Sequence, residues 1–321
     1  MLLAVEMTMF RHCILILALH LARLVYAQND QSGFISLDCG SPPGSYTDNS
    51  TGINYVSDDG LIEGGATYKF ATSSNSFQLS SLRYFPENER NCYTLRPQQG
   101  KNNRYFPENE RNCYTLKPQQ GKNNRYLIRA RIGYGNYDYI DRNPQFDLYL
   151  GADYWATVNI TNSAVAITLE MIHLSLSDYI HVCLINTGLG TPVISALELR
   201  LLNITMYEGQ FQSLILSQRQ NFGTNDSVRY KDDMYDRIWR PSSMIGGRAV
   251  NNSDLVSAGL SDEEKVPLKV RSTAYTPINS TNMLRYTWVA NATDKFILYI
   301  HIAEVEILQS NQKREFNIYL N

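Results

Sequence analysis

The chain has 321 residues, 43% of them apolar, and a formal charge of −2. That length allows two domains with separate cores, and the near-neutral balance excludes the basic field that gathers nucleic acid or an anionic membrane. The 22 tyrosines, against 11 Phe and 3 Trp, suit half-buried strand faces, with a surface of flat amphipathic rings as the functional alternative.

Residues 1–27 read as an export signal. Arg11 and His12 precede an apolar run from Cys13 to Val25, broken by His20 and Arg23. Val25-Tyr26-Ala27 then places small residues where a signal peptidase reads them, so cleavage is expected between Ala27 and Gln28. The run is short for a bilayer span. Glu6 is unusual in a leader, and a start at Met7 or Met9 gives a cleaner one. Sequons at Asn49, Asn159, Asn203, Asn225, Asn251, Asn279 and Asn291 point to a glycosylated, extracytoplasmic protein. Past the signal, Cys39, Cys92, Cys113 and Cys183 are available for disulfides. Their pairing stays open, and the lack of Cys-x-x-Cys spacing argues against zinc or thioredoxin-like chemistry.

From Gly33 onward the pattern is strand and turn. Ser41-Pro42-Pro43-Gly44 opens with a turn cluster. Residues 83–103 are then repeated as 104–124, with Arg96 replaced by Lys117 as the one change over 21 positions. Two copies do not make a solenoid, so one copy is expected to pack and the other to bulge out, leaving Cys113 spare or competing with Cys92. Tyr126, Ile128, Ala130 and Ile132 alternate with polar or outward positions. Val165 to Met171, Ile180 to Leu184 and Leu197 to Leu201 do the same. Such period-two runs, punctuated by Asp141-Arg142-Asn143-Pro144 and Asn186-Thr187-Gly188, predict an all-β protein built as a β-sandwich or jelly roll. Phe211–Leu216 predicts a linking strand, which sets a first domain at 28–207 and a second at 208–321.

The two domains share a plan. Tyr126–Gly151 aligns without gaps on Phe296–Asn321, and Phe146-Asp147-Leu148-Tyr149-Leu150 answers Phe316-Asn317-Ile318-Tyr319-Leu320. Tyr230-Lys231-Asp232-Asp233 likewise echoes Tyr55-Val56-Ser57-Asp58-Asp59. The first copy runs on for several strands past Gly151, so the second domain is expected to be truncated, and the chain to be the front part of a longer protein.

An ordered series of phrases carries a resemblance. It starts with Phe34-Ile35-Ser36-Leu37-Asp38-Cys39-Gly40, Tyr55-Val56-Ser57-Asp58-Asp59, Arg83-Tyr84-Phe85-Pro86 and Arg90-Asn91-Cys92-Tyr93-Thr94-Leu95. It continues with Tyr134-Gly135-Asn136-Tyr137-Asp138, Val182-Cys183-Leu184-Ile185-Asn186-Thr187-Gly188 and Tyr235-Asp236-Arg237-Ile238-Trp239. The series resembles the malectin-like extracellular region of plant leucine-rich-repeat receptor-like serine/threonine kinases. The resemblance implies two tandem malectin-like β-sandwiches, the second incomplete, outside the plasma membrane. In the family leucine-rich repeats, one membrane helix and a kinase usually follow; an anchor here would lie beyond Asn321. The 21-residue duplication and the early stop depart from the family pattern.

The resemblance also implies a carbohydrate or peptide ligand and a co-receptor protein as partners, with no cofactor, no metal and no enzymatic activity in this stretch. Animal malectin holds a glucose-bearing glycan with loop aromatics and a carboxylate. The matching loop offers Tyr134, Asn136, Tyr137, Asp138 and Tyr139, with Gly133 and Gly135 to bend it. The second domain has Glu304, Ile307, Leu308 and Gln309 opposite the rings and carboxylate, so a sugar site of this type is expected in the first domain alone. The competing expectation is that these tyrosines pack the loop, leaving a protein-partner scaffold without sugar affinity. A secreted glycosidase using Glu63, Glu87 or Asp138 is a third alternative. Asp232, Asp233 and Asp236 lack calcium-loop spacing and read as a solvated turn. His173, His181 and His301 fall on separate strand patterns, and Trp155 and Trp239 read as core.

Overall fold

The computed structural model describes residues 31–62, 64–71, 77–86, 118–140, 143–209, 211–252, 265–279, 281–291, 293–320 and Leu116, and the backbone of 90–92 and 113–115. Residues 1–30, with the expected signal segment, and Glu63, Glu87 and residues 93–112 lie outside it. The chain divides into two units, Met1–Ser217 and Gln218–Asn321.

The first unit begins with β1 (Ile35–Asp38), β2 (Ser45–Thr47), β3 (Asn54–Ser57), β4 (Ala66–Lys69) and β5 (Ser81–Tyr84). Next come β6 (Arg90–Cys92), β7 (Cys113–Leu116), β8 (Asn124–Ile132), β9 (Gln145–Leu150) and β10 (Asp153–Asn159). It ends with β11 (Ile167–Ser175), β12 (Ile180–Leu189), β13 (Val193–Ile194), β14 (Ala196–Leu202) and β15 (Ser213–Ile215). A seven-stranded sheet has the order β15-β11-β8-β14-β1-β3-β2, a five-stranded sheet runs β10-β9-β12-β6 with β7 also on β12, and a three-stranded sheet runs β13-β5-β4.

The alternation predicted from sequence builds the core. Tyr126, Ile128 and Ala130 of β8, Phe146 and Leu148 of β9, Val182 and Leu184 of β12, and Leu197 and Leu199 of β14 join one buried cluster with Trp155. Each Val, Leu, Ile or Phe side chain among them contributes about 1.5–3 kcal/mol by leaving water. The expected strand at Val165 starts instead at Ile167. Val165 is exposed in the preceding turn, its N–H bonded to Asn162 O at 3.2 Å. The linking strand pairs β15 with β11, so it closes the first unit's sheet.

The face of the seven-stranded sheet turned away from this core is charged yet buried. Cross-strand register sets Arg129 between Glu170 and Glu198. Its Nε donates to Glu170 at 2.6 Å and its Nη1 to Glu198, which also takes the Tyr55 hydroxyl. Arg200 lies 3.3 Å from Glu198 and covers the Phe34 ring at 4.4 Å.

The sheet takes a part of each copy rather than one copy whole, and the expected bulge falls on residues 93–112, outside the described residues. Arg90, Asn91 and Cys92 of the first copy pair with Ile185, Leu184 and Cys183, while Thr115 and Leu116 of the second pair with His181 and Ile180. One edge of β12 is one strand long, and each copy fills part of it. Thr115 and Leu116 continue the register that β6 begins, displaced by the length of one repeat. Cys183 is disulfide-bonded, and Cys92 stands opposite it in the ladder. Cys39 is buried in the core.

The second unit pairs β16 (Gln220–Phe222) with β17 (Arg240–Ser242), and β18 (Gly247–Asn251) with β19 (Thr273–Pro277), after the short helix α1 (Leu268–Arg271). Val228, Trp239, Val266 and Val270 form its buried cluster. Two of the three aspartates expected in a solvated turn are buried. Asp233 holds Arg237 Nε at 2.8 Å and Trp239 Nε1 at 2.7 Å, and Asp236 takes both Nε and Nη2 of Arg229. Buried carboxylates need such partners, and the arginines consume the charge that a turn would have shown to water. Asp232 alone of the three stays at the surface, with Lys269 at 2.9 Å.

The strands expected at Phe296–Ile302 and Phe316–Leu320 do not form. No ladder is present among the described residues 293–320, and Phe296, Leu298, Ile300, Phe316 and Ile318 are exposed. Their aligned counterparts in β8 and β9 are buried because β10, β11, β12 and β14 flank them. A strand without a hydrogen-bonded neighbour gains nothing from its pattern.

Candidate functional site

The loop after β8 is fixed by backbone bonds before any side chain matters. Gly133 N–H donates to Ser195 Oγ at 3.1 Å, and Gly135 N–H to Ser163 O at 3.0 Å. Tyr137 and Tyr139 N–H close successive turns onto Tyr134 O and Asn136 O. Gly135, Asn136 and Tyr139 have positive φ. Gly135 has a second constraint: a Cβ there would lie 2.3 Å from the Phe70 ring, which follows β4. The loop is therefore pressed against the β4–β5 pair.

This packing sorts the sequence-predicted residues. Tyr134 and Tyr137 are buried members of the core cluster. The Tyr134 hydroxyl donates to Asp138 Oδ1 at 2.5 Å, so that carboxylate is already engaged. Tyr137 packs edge-on to Tyr134 at 5.5 Å and lies 4.8 Å from Tyr84 and 5.8 Å from Tyr68. Burial, with the nearby Asp138 charge, pushes its phenol up to about 12. Asn136 is half-buried at the turn. Tyr139 is 80% exposed, its hydroxyl 3.1 Å from that of Tyr68, and Ile140 beside it is also open. That hydrogen bond is the main reason the Tyr68 phenol is raised.

The result is a ring cluster with a buried base of Tyr134 and Tyr137 and a wet rim of Tyr68, Phe70, Tyr84 and Tyr139. Sequence reasoning missed Tyr68, Phe70 and Tyr84. Register explains their arrival: Tyr68 pairs with Leu82 and Tyr84 with Ala66, which makes the two tyrosines diagonal neighbours on one face of a hairpin. The signal was the tyrosine in each of two short alternating runs. Asp138, once considered for a carboxylate pair, is tied to Tyr134, while Glu63 and Glu87 are not described. His173, His181 and His301 meet Ser213, Tyr179 and Trp239 respectively. All seven sequon asparagines are exposed.

Comparison with known proteins agrees with this architecture. A family model described as the malectin-like domain matches residues 37–103 and 96–321. In Arabidopsis thaliana, the leucine-rich repeat receptor-like protein kinase At2g19210 is 42% identical over 93% of this chain and 32% of its own length. The LRR receptor-like serine/threonine-protein kinase At1g05700 is 43% identical over 95% of this chain and 34% of its own. The chain thus spans about a third of the length of the curated relatives it matches. The crystal structure of the plant receptor-like kinase FER superposes with a TM-score of 0.58 at 15% identity, covering 75% of this chain and 64% of that one. The structure of the peptide RALF23 in complex with FER and LLG2 superposes at 0.55 and 14% identity, over 77% and 66%. The near-absence of helix, the stacked sheets and the matched sequence lead to one statement: this chain belongs to the malectin-like family found in plant receptor-like kinases.

Proposed function

We propose that the chain is the extracellular ligand-recognition portion of a plant receptor-like kinase, with the rim of Tyr68, Tyr84 and Tyr139 as its contact platform. The observation that carries this reading is the exposed Tyr139 ring, held at positive φ and hydrogen-bonded to Tyr68 above a base of packed rings. Rings held in place bind at small entropic cost, and a sugar presents a C–H face to such rings and hydroxyls to their phenols. The first ligand class is therefore a cell-wall carbohydrate.

A peptide is the second reading. It is favoured by the complex of the structurally similar FER with the peptide RALF23 and LLG2. It is favoured too by the engagement of Asp138, which weakens a sugar site built on a free carboxylate. Export through the signal segment and glycosylation at the seven sequons belong to the same proposal; the kinase activity of the longer relatives lies outside it. No helix among the described residues is long and apolar enough to cross a membrane.

The test is to screen the secreted protein on plant glycan arrays and against a peptide panel, with Tyr139→Ala and Tyr68→Ala alongside. Binding that falls at least tenfold in both variants, with unchanged melting, supports the platform. Binding indifferent to both substitutions refutes it, and hits confined to one panel decide the ligand class.

A further inference from the structure

We propose that Asp38 is a proton-operated latch that ties the strand pair carrying Tyr68 and Tyr84 to the seven-stranded sheet. The latch stands on its own geometry. Its consequence, regulation of the ring platform, rests on the function proposed above.

Asp38 ends β1 and is fully buried. Its Oδ2 accepts from the Tyr46 hydroxyl of β2 at 2.7 Å, and its Oδ1 from Ser81 Oγ of β5 at 2.9 Å. A second carboxylate, Asp58 just past β3, accepts from Arg83 Nε and Nη2 of β5 at 2.7 and 2.8 Å, and from Gly40 N–H at 2.9 Å. Gly40 permits this closeness: a Cβ there would sit 2.2 Å from Leu82 O. One face of β5, Ser81 and Arg83, is thus held by two carboxylates. Its other face gives Leu82 to the core and Tyr84 to Tyr137.

The groups facing Asp38 set the sign of its response. They are Asp58 with its Arg83, Tyr46, and behind Tyr46 the stacked Tyr55 and Asp48; β14 presents Ala196 opposite. Burial dominates. Aided by Asp58, it outweighs the bonds from Tyr46 and Ser81 and lifts the carboxyl from 3.8 to about 6. A folded value above the unfolded one stabilises the closed state fully below the unfolded value, and that gain is lost as pH rises through about 6. The protonated acid donates its own hydrogen to the hydroxyl oxygen of Ser81 or Tyr46, which turns to accept it. The ionised acid keeps both bonds but stays a buried charge beside Asp58. Mild acid therefore tightens β5, and neutral pH loosens it.

Hydrogen exchange at pH 5 and pH 7, corrected for intrinsic rates, reads the latch directly. In the full chain, β4–β5 amides are expected to open about tenfold more often at pH 7 than at pH 5. Asp38→Asn abolishes that ratio. Ser81→Ala leaves the pH response in β1 and β2 but removes it from β5, and carries the test if Asp38→Asn does not fold. An unaltered ratio in β5 of either variant overturns the proposal. So does an equal pH effect in β8, which would mark a global change. Absent ligand binding with the β5 response intact removes the function proposed above and leaves the latch standing.

Discussion

Replacing Arg129 by Met probes the least ordinary feature of the fold, a charged layer sealed inside a sheet. The guanidinium bridges Glu170 and Glu198 with none of its side-chain surface exposed. Methionine matches its length but leaves the Glu170 carboxylate without this ion pair, and Glu198 with Arg200 and the Tyr55 hydroxyl. Breaking a buried pair from one side costs about 3–5 kcal/mol, against roughly 0–1 kcal/mol for an exposed pair. Urea unfolding of the first unit, followed by fluorescence of the buried Trp155, measures the loss. The sign with pH is fixed. In the variant Glu170 becomes easier to protonate in the folded state than in the unfolded one, so the cost shrinks as pH falls toward 4. Adding Glu170→Gln to Arg129→Met should recover most of the stability, since Glu198 keeps Arg200 as its opposite charge. A loss under about 1 kcal/mol, or one that does not shrink in acid, refutes the reasoning.

Three further outcomes follow from the same geometry. Tyr137→Ala should cost about 3–5 kcal/mol in the same unfolding assay, because it empties a core position. Tyr139→Ala should stay within about 0.5 kcal/mol, because that ring faces water. Peptide mapping without reduction should link Cys183 to Cys92 and leave Cys39 outside that bridge, and Cys183→Ser should cost roughly 2–5 kcal/mol. Glycosidase treatment of the secreted protein should lower its mass stepwise, and Asn159→Gln, on the exposed side of β10, should remove one step.

Much of the first unit was legible in the sequence because its strands have one buried face, and alternation reports that directly. Tyr126 to Ile132 and Ile180 to Leu184 were read this way. The charged layer was not, because Arg129 and Glu198 sit where alternation says outside. Only the cross-strand register reveals that they neutralise one another, next to the Arg200 that covers the Phe34 ring. Within the site, the sequence pointed to the loop residues as a group but could not sort them: which tyrosine is buried depends on the hairpin that arrives from β4 and β5. Asp233 and Asp236 misled for the same reason, their arginine partners being visible only once the turn is folded. The second unit misled in the opposite direction. Phe296 to Ile302 carries a strand pattern as clear as that of β8, yet pattern without neighbouring strands does not make a sheet.

The ring platform is tested most directly by hydrogen exchange with the tightest glycan or peptide from the screens added to the protein. Slowed exchange confined to 66–70, 81–84 and 133–140 is the predicted footprint. Protection elsewhere, with those three segments unchanged, would contradict the assignment of the site.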